Sequence, residues 1–168
     1  MTLSMYQASV PVFTRMLTNL SAVLAKGEAH AAARKIEPDA FLLARLFPDM
    51  LPLKRQVQLA ADFAKNSTSR LAGLEPPKFP DEEATFPELQ QRIAKTIEHM
   101  KGLTPGQIDG SEGREITLPL GGQPKTFSGQ EYFLHFAVPN FYFHVTTAYD
   151  ILRQGGVEIG KLDFLGRP

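Results

Sequence analysis

The feature that most restricts this chain is an apolar run near its start: Tyr6, Val10, Phe13, Leu17, Leu20 and Leu24. The steps are 4, 3, 4, 3 and 4, which lay one stripe along a helix and suit packing nearly parallel to neighbouring helices. Ser4 followed by Gln7 forms a capping box, so a helix is expected over about 4–26. Pro11 falls inside it and should kink it, because proline has no N–H to donate. Gly27 offers a stop.

Three more long helices follow from the same kind of pattern. Residues 28–47 are less regular, with short helical pieces around Phe41 to Leu46 between Pro38 and Pro48. A second long helix is expected over about 49–72, with Leu53, Val57, Ala60, Ala64 and Leu71 on one stripe. The stretch LEPPKFPDEEA cannot continue it. Thr85 with Glu88 caps a third helix over 86–101, carrying Phe86, Leu89, Ile93, Ile97 and Met100 in phase. The period then changes to two at Ile116, Leu118 and Leu120, and Gly121-Gly122 can turn. This predicts a small hairpin over 115–127, with Pro119 confined to an edge. Ser128 and Glu131 cap the last helix, 129–154, and the tail VEIGKLDFLGRP closes the chain. The expectation is an all-α fold, a four-helix bundle with a small β-hairpin before the last helix, with residues 1–168 forming one domain.

Composition narrows the partners. The 18 basic and 18 acidic residues cancel, so nothing draws the chain to nucleic acid or to an anionic membrane. Cysteine is absent, which removes disulfides, thiolate metal sites and a cysteine nucleophile, and fits a cytoplasmic location. The N-terminus has no basic residue before Arg15, and it reads as no signal peptide. The apolar stretch from Tyr132 to Leu152 is broken by His135, Pro139, Asn140, His144 and Asp150, so it is a core helix and not a membrane span. No phosphate loop, dinucleotide glycine pattern, HExxH or GxSxG motif is present.

Chemistry is most legible on the last helix. With residues spaced about 100° apart and His144 at the origin, Phe133, Ala137, Asn140, Phe141, Ala148 and Ile151 share its side. His135 falls on the opposite side, with Tyr142, Thr146, Tyr149 and Arg153. Asn140 and His144 thus lie one turn apart in an apolar face, and a buried polar group without a partner costs ~1–3 kcal/mol. The second helix is the nearest polar source. Its Arg55, Gln58 and Asp62 form a stripe that is ordinarily a wet face, but Gln58 and Asp62 are one turn apart and could converge on His144. The candidate pocket is therefore Gln58, Asp62, Asn140 and His144, with His144 bonded to one of the other three, to water or to an ion. The plain alternative is a core histidine satisfied by a neighbour.

The segments ARLFPDMLPLKRQVQLAADFAK and REITLPLGGQPKTFSGQEYFLHFAVPNFYFHVTTAYDILRQGGVEIGKLDFLG carry a resemblance over nearly the whole chain. It resembles an uncharacterised bacterial family of the DinB/YfiT-like superfamily. The resemblance implies a four-helix bundle with a long crossover. Better-known members of the superfamily hold a divalent metal on three histidines, one from the second helix and two from an HxxxH pair on the last; some are thiol-dependent transferases and many are dimers. In this chain the pair reads Asn140-x-x-x-His144, and residues 49–71 contain no histidine, leaving Gln58 or Asp62 nearest to the third position. A zinc or nickel ion at His144 is then the cofactor to test, an amide being a weak ligand for either. The leading expectation is a small-molecule pocket with a degenerate metal triad. The alternatives are a metal-assisted transferase or hydrolase, and a structural dimer. A homodimer is expected to form through the stripe of the first helix and the Tyr142–Tyr149 side of the last.

Overall fold

The first apolar stripe folds as α1, Met5–Arg34, capped by the Ser4–Gln7 box. The structure, a computed structural model, describes residues 3–166. Gly27 does not stop α1: a Cβ built on it would lie 2.8 Å from Leu152 Cδ2, so the glycine lets two helices approach closely. The helix ends at Lys35, in the left-handed region at φ 55°. At the other end, the side chain of Asp109 accepts the Tyr6 N–H at 2.8 Å, satisfying a first-turn donor that the helix cannot pair itself.

A short α2, Pro38–Leu42, precedes α3, Leu53–Leu71. The start of α3 lies four residues later than expected, because Pro52 is its N-cap and the residue before a proline is biased away from the helical region. α4 spans Phe86–Lys101, as its capping box predicts. A short α5, Pro105–Ile108, and a single tight turn, Ser111–Gly113, lead into β1, Glu115–Leu120, and β2, Gln123–Ser128. The strands pair antiparallel with Leu120 opposite Gln123 and Pro119 opposite Pro124. Two prolines are tolerated there because each strand of a two-stranded hairpin has a free edge. A helical run then begins with α6, Gly129–Glu131, passes through a π-helical stretch, Tyr132–Ala137, and continues as α7, Val138–Gln154. The tail forms α8, Lys161–Leu165.

Around the bundle the neighbours run α1, α4, α3, α7, with α1 and α3 also meeting across the middle. The connection from α1 to α3 and the hairpin-bearing one from α4 to α7 therefore join diagonal partners. The centre is aromatic: Phe13 is fully buried, with its ring 4.4 Å from that of Phe141 and 5.8 Å from that of Phe133. Each such side chain contributes ~1.5–3 kcal/mol by leaving water. The α1 stripe expected to support self-association is spent in this core, since Val10, Phe13, Leu17, Leu20 and Leu24 are all buried. α8 is pinned by Lys26 to Asp163 at 2.6 Å, by Asn19 Nδ2 to the Phe164 carbonyl, and by Phe164 against the edge of Tyr149. Among the described residues no helix is long and apolar enough to cross a membrane.

Candidate functional site

The π-helical stretch sets the geometry of the last helix. Pro139 has no N–H for the carbonyl one turn upstream, and its ring crowds that carbonyl, so the backbone ladder changes register just before it. Asn140 serves this junction. Its Nδ2 donates to the Phe136 carbonyl at 2.7 Å, so the side chain turns back onto its own helix and not towards His144.

His144 is buried at 8 % exposure and bonds across the α3–α7 interface, with Nδ1 2.7 Å from Gln56 Oε1. The partner on α3 is thus Gln56, and not Gln58 or Asp62. Gln56 and Gln58 are two residues apart, about 200° around a helix, so only one of them can face α7. Phe63, seven residues after Gln56 and on the same side, stacks on the imidazole with centroids 5.5 Å apart and planes 18° apart. Gln56 Nε2 donates to the Leu51 carbonyl at 2.9 Å, which fixes the amide orientation. Oε1 can only accept, so His144 Nδ1 carries the proton and Nε2 presents a lone pair. Burial, and then the positive Arg55, hold the His144 pKa below its ordinary value, keeping the ring neutral.

Gln58 and Asp62 belong to a different cluster, on the far side of α3. Arg92 of α4 is its centre. Its Nη1 donates to Glu83 Oε1 at 3.0 Å and to the Pro80 carbonyl at 2.9 Å. Its Nη2 lies 3.0 Å from Asp62 Oδ1 and 2.9 Å from Asp81 Oδ1, close enough for charge attraction though off the hydrogen-bond line. Gln58 bridges Arg55 and Glu83, at 2.7 Å to each, while Lys65 holds Asp62 at 2.8 Å and Arg55 holds Asp81 at 2.6 Å. Three cations meet three carboxylates. Burial alone would raise the pKa of Asp81, but Arg55 and Arg92 hold it below the usual carboxylate value. Phe79 of the α3–α4 connection sits between Lys65 and Lys95, each ammonium 4.2 Å from the ring centroid. The stripe that reads as a wet face is therefore the seat of the proline-rich α3–α4 connection. Beside it Asp62, Lys65, Arg70 and Lys78 help line a cleft of about 490 Å³, which neither Gln58, Asn140 nor His144 lines.

These residues do not fit the three-histidine metal site that the resemblance implies. His144 is the one imidazole at the place, Asn140 is turned away, and among the described residues no group of three histidine or carboxylate side chains is placed to hold a metal ion. The other histidines are occupied elsewhere or exposed: His99 Nε2 lies 2.8 Å from Ser69 Oγ, His30 meets the edge of Phe41, and His135 is exposed. The carboxylates of Asp62, Asp81 and Glu83 converge on Arg92, a guanidinium in the position a cation would take.

Gln56 and Arg92 are the residues the pattern reading missed. Arg92 had a signal, since it falls three residues after Leu89 on the apolar stripe of α4, where an arginine must be paired to be buried. Gln56 had a weaker one, its seven-residue step to Phe63.

The arrangement of long helices, diagonal connections and a hairpin before the last helix is that of a DinB-like bundle. A crystal structure of a DinB family member from Shewanella denitrificans superimposes with a TM-score of 0.92 and 42 % identity, covering 97 % of this chain and 92 % of that one. The chain belongs to the family described as a domain of unknown function (DUF1993), whose model matches residues 5–165. No curated protein matches it.

Proposed function

We propose that this protein binds a small molecule on a DinB-like bundle, with His144 as the recognition residue and without the three-histidine metal of better-known relatives. One observation carries the reading: Gln56 locks His144 as the Nδ1–H tautomer, leaving Nε2 as an oriented acceptor. Nε2 has no partner in the protein, yet the buried polar side-chain atoms without a hydrogen bond are others: Thr14 Oγ1, Arg92 Nε and Nη2, Thr96 Oγ1 and Ser111 Oγ, among the described residues. The lone pair is thus within reach of solvent. Ligand sites pair mostly apolar walls with a few fixed polar groups, and this is such a group. In this reading Asn140 shapes the helix beneath the site, and Gln58 and Asp62 hold the α3–α4 connection on the far side of α3. The setting we propose is a cytoplasmic homodimer of one-domain chains. Sedimentation at micromolar concentration checks the dimer, and a monomer alone would refute it.

The site is tested on protein labelled with ¹³C at histidine Cε1. Fragments from a chemically diverse library, and zinc and nickel chloride, are added while the four histidine resonances are followed. A saturable shift of His144 by a fragment, with exposed His135 unmoved, supports the proposal. No fragment moving His144, or His144 and His135 moving together, overturns it. Stoichiometric zinc or nickel at His144 would restore the metal reading instead.

A further inference from the structure

We infer that the ligand at His144 is a non-anionic aromatic molecule carrying an O–H or N–H donor; the inference rests on the reading of His144 as a binding residue and names the class of its ligand. The observation behind it is a row of rings. Phe127 at the end of β2 lies 6.1 Å from Phe136, Phe136 lies 5.9 Å from Phe63, and Phe63 stacks on His144 at 5.5 Å. Phe143, more than half exposed, meets the imidazole edge-on at 5.3 Å. Phe127, Phe136 and Phe63 are each only partly buried, so the row forms a partly open aromatic strip and not a sealed core. The strip draws rings from β2, the π-helical stretch, α3 and α7, four separate parts of the fold.

Three properties of the strip select the ligand. Aromatic faces favour another ring in offset or edge contact, which gives more than an aliphatic group of the same area. The polar atom at its end is an acceptor alone, because Gln56 holds the only proton of the imidazole on Nδ1. A ligand must therefore bring the donor. An anionic group is disfavoured, because the Arg55 guanidinium is engaged by Asp81 and Gln58 and is not free to receive it. A phenol-like or indole-like group meets all three requirements.

The probe is p-cresol, with two partners that each remove one feature: 4-methylanisole keeps the ring and loses the donor, and 4-methylcyclohexanol keeps the donor and loses the ring. Each is titrated into full-length protein labelled at histidine Cε1 and in the phenylalanine rings. The expected result is a saturable p-cresol shift at His144, Phe63 and Phe136, with both partners on the order of tenfold weaker, the loss that goes with one hydrogen bond or one ring contact. Phe63→Leu, which keeps apolar volume and removes the ring, should weaken p-cresol by a similar factor while its far-UV spectrum stays wild-type. If that variant fails to fold, the three-ligand series on the unaltered protein decides alone. Equal binding of p-cresol and 4-methylanisole overturns the role of the lone pair. Equal binding of p-cresol and 4-methylcyclohexanol overturns the aromatic strip. Absence of any p-cresol shift at His144 overturns the ligand class. If other fragments still move His144, the small-molecule reading survives that failure; if none does, both fall.

Discussion

Arg92 of α4 lies 3.0 Å from Asp62 of α3, with about one per cent of the Arg92 side chain left exposed. The pair is the inner part of a cluster in which Asp81 and Glu83 reach back from the α3–α4 connection to the same guanidinium. Replacing Arg92 by methionine keeps much of the volume but strands three carboxylates against two cations. Removing one member of a buried ion network costs ~3–5 kcal/mol, so Arg92→Met should lower the urea midpoint sharply. Proteolysis should then cut first within residues 74–85. A variant that keeps wild-type stability would mean that hydration by water, and not Arg92, stabilises the carboxylates of the cluster.

The Gln56–His144 bond gives a second outcome. His144→Leu leaves Gln56 Oε1 buried without a donor, and Gln56→Leu leaves the His144 Nδ1–H without an acceptor, each at ~1–3 kcal/mol. The double variant removes both needs and should cost less than the two single costs added together. Chemical denaturation of the four proteins measures the coupling. Simple additivity would show that the bond is not formed in solution.

Acid should act on the histidines before the carboxylates. His144 is depressed by burial and then by Arg55, and His99 by burial and then by Lys65. For both, the unfolded chain binds protons more readily than the folded one, so their contribution is complete above the ordinary histidine value of 6.5 and is lost as pH falls from there through the folded pKa. Asp81, Glu88 and Glu131 are also held low, Glu88 by the backbone N–H of Ala84 and Glu131 by that of Ser128, but their loss sets in only near the ordinary carboxylate values of 3.8 for Asp81 and 4.5 for the glutamates. Stability measured from pH 7.5 to 5 should decline, and His144→Gln should flatten part of that slope. An unchanged slope in the variant would place the His144 pKa at its ordinary value.

Gly129 opens the last helical run at a point where a Cβ would lie 2.0 Å from the Ser111 carbonyl oxygen, a backbone atom that cannot rotate away. Gly129→Ala should therefore destabilise by at least the ~1–3 kcal/mol typical of overpacking, even though alanine is the better helix former. A thermal midpoint equal to wild type would show that the Ser111–Gly113 turn moves freely over this helix.

The long helices and the hairpin were legible because capping boxes and apolar periods are local, and Ser4, Thr85 and Ser128 mark their starts directly. What escaped were features decided at a distance. Gly27 reads as a stop in sequence and is a contact with Leu152 in space. α5 carried a signal in Thr104 and Gln107 that so short a helix makes easy to pass over. Of the candidate pocket, the helix facing His144 was legible and the three partner residues were not. His144 does find its hydrogen-bond partner on the second long helix, but a constant 100° step cannot choose between Gln56 and Gln58, nor foresee that the register change before Pro139 would turn Asn140 back onto Phe136.

The place of α7 between α1 and α3 governs how the chain must come off the ribosome. Phe133, Phe141, Val145, Ala148 and Ile151 fill the space beside Phe13, Leu17, Val57 and Ala64, and they are made after α1, α3 and α4. Until they emerge, the first three long helices present an open apolar trough to the cell. A nascent or truncated chain ending before residue 129 is thus a client for chaperones and a seed for aggregation, and protection of the growing chain matters more here than the speed with which any one helix forms.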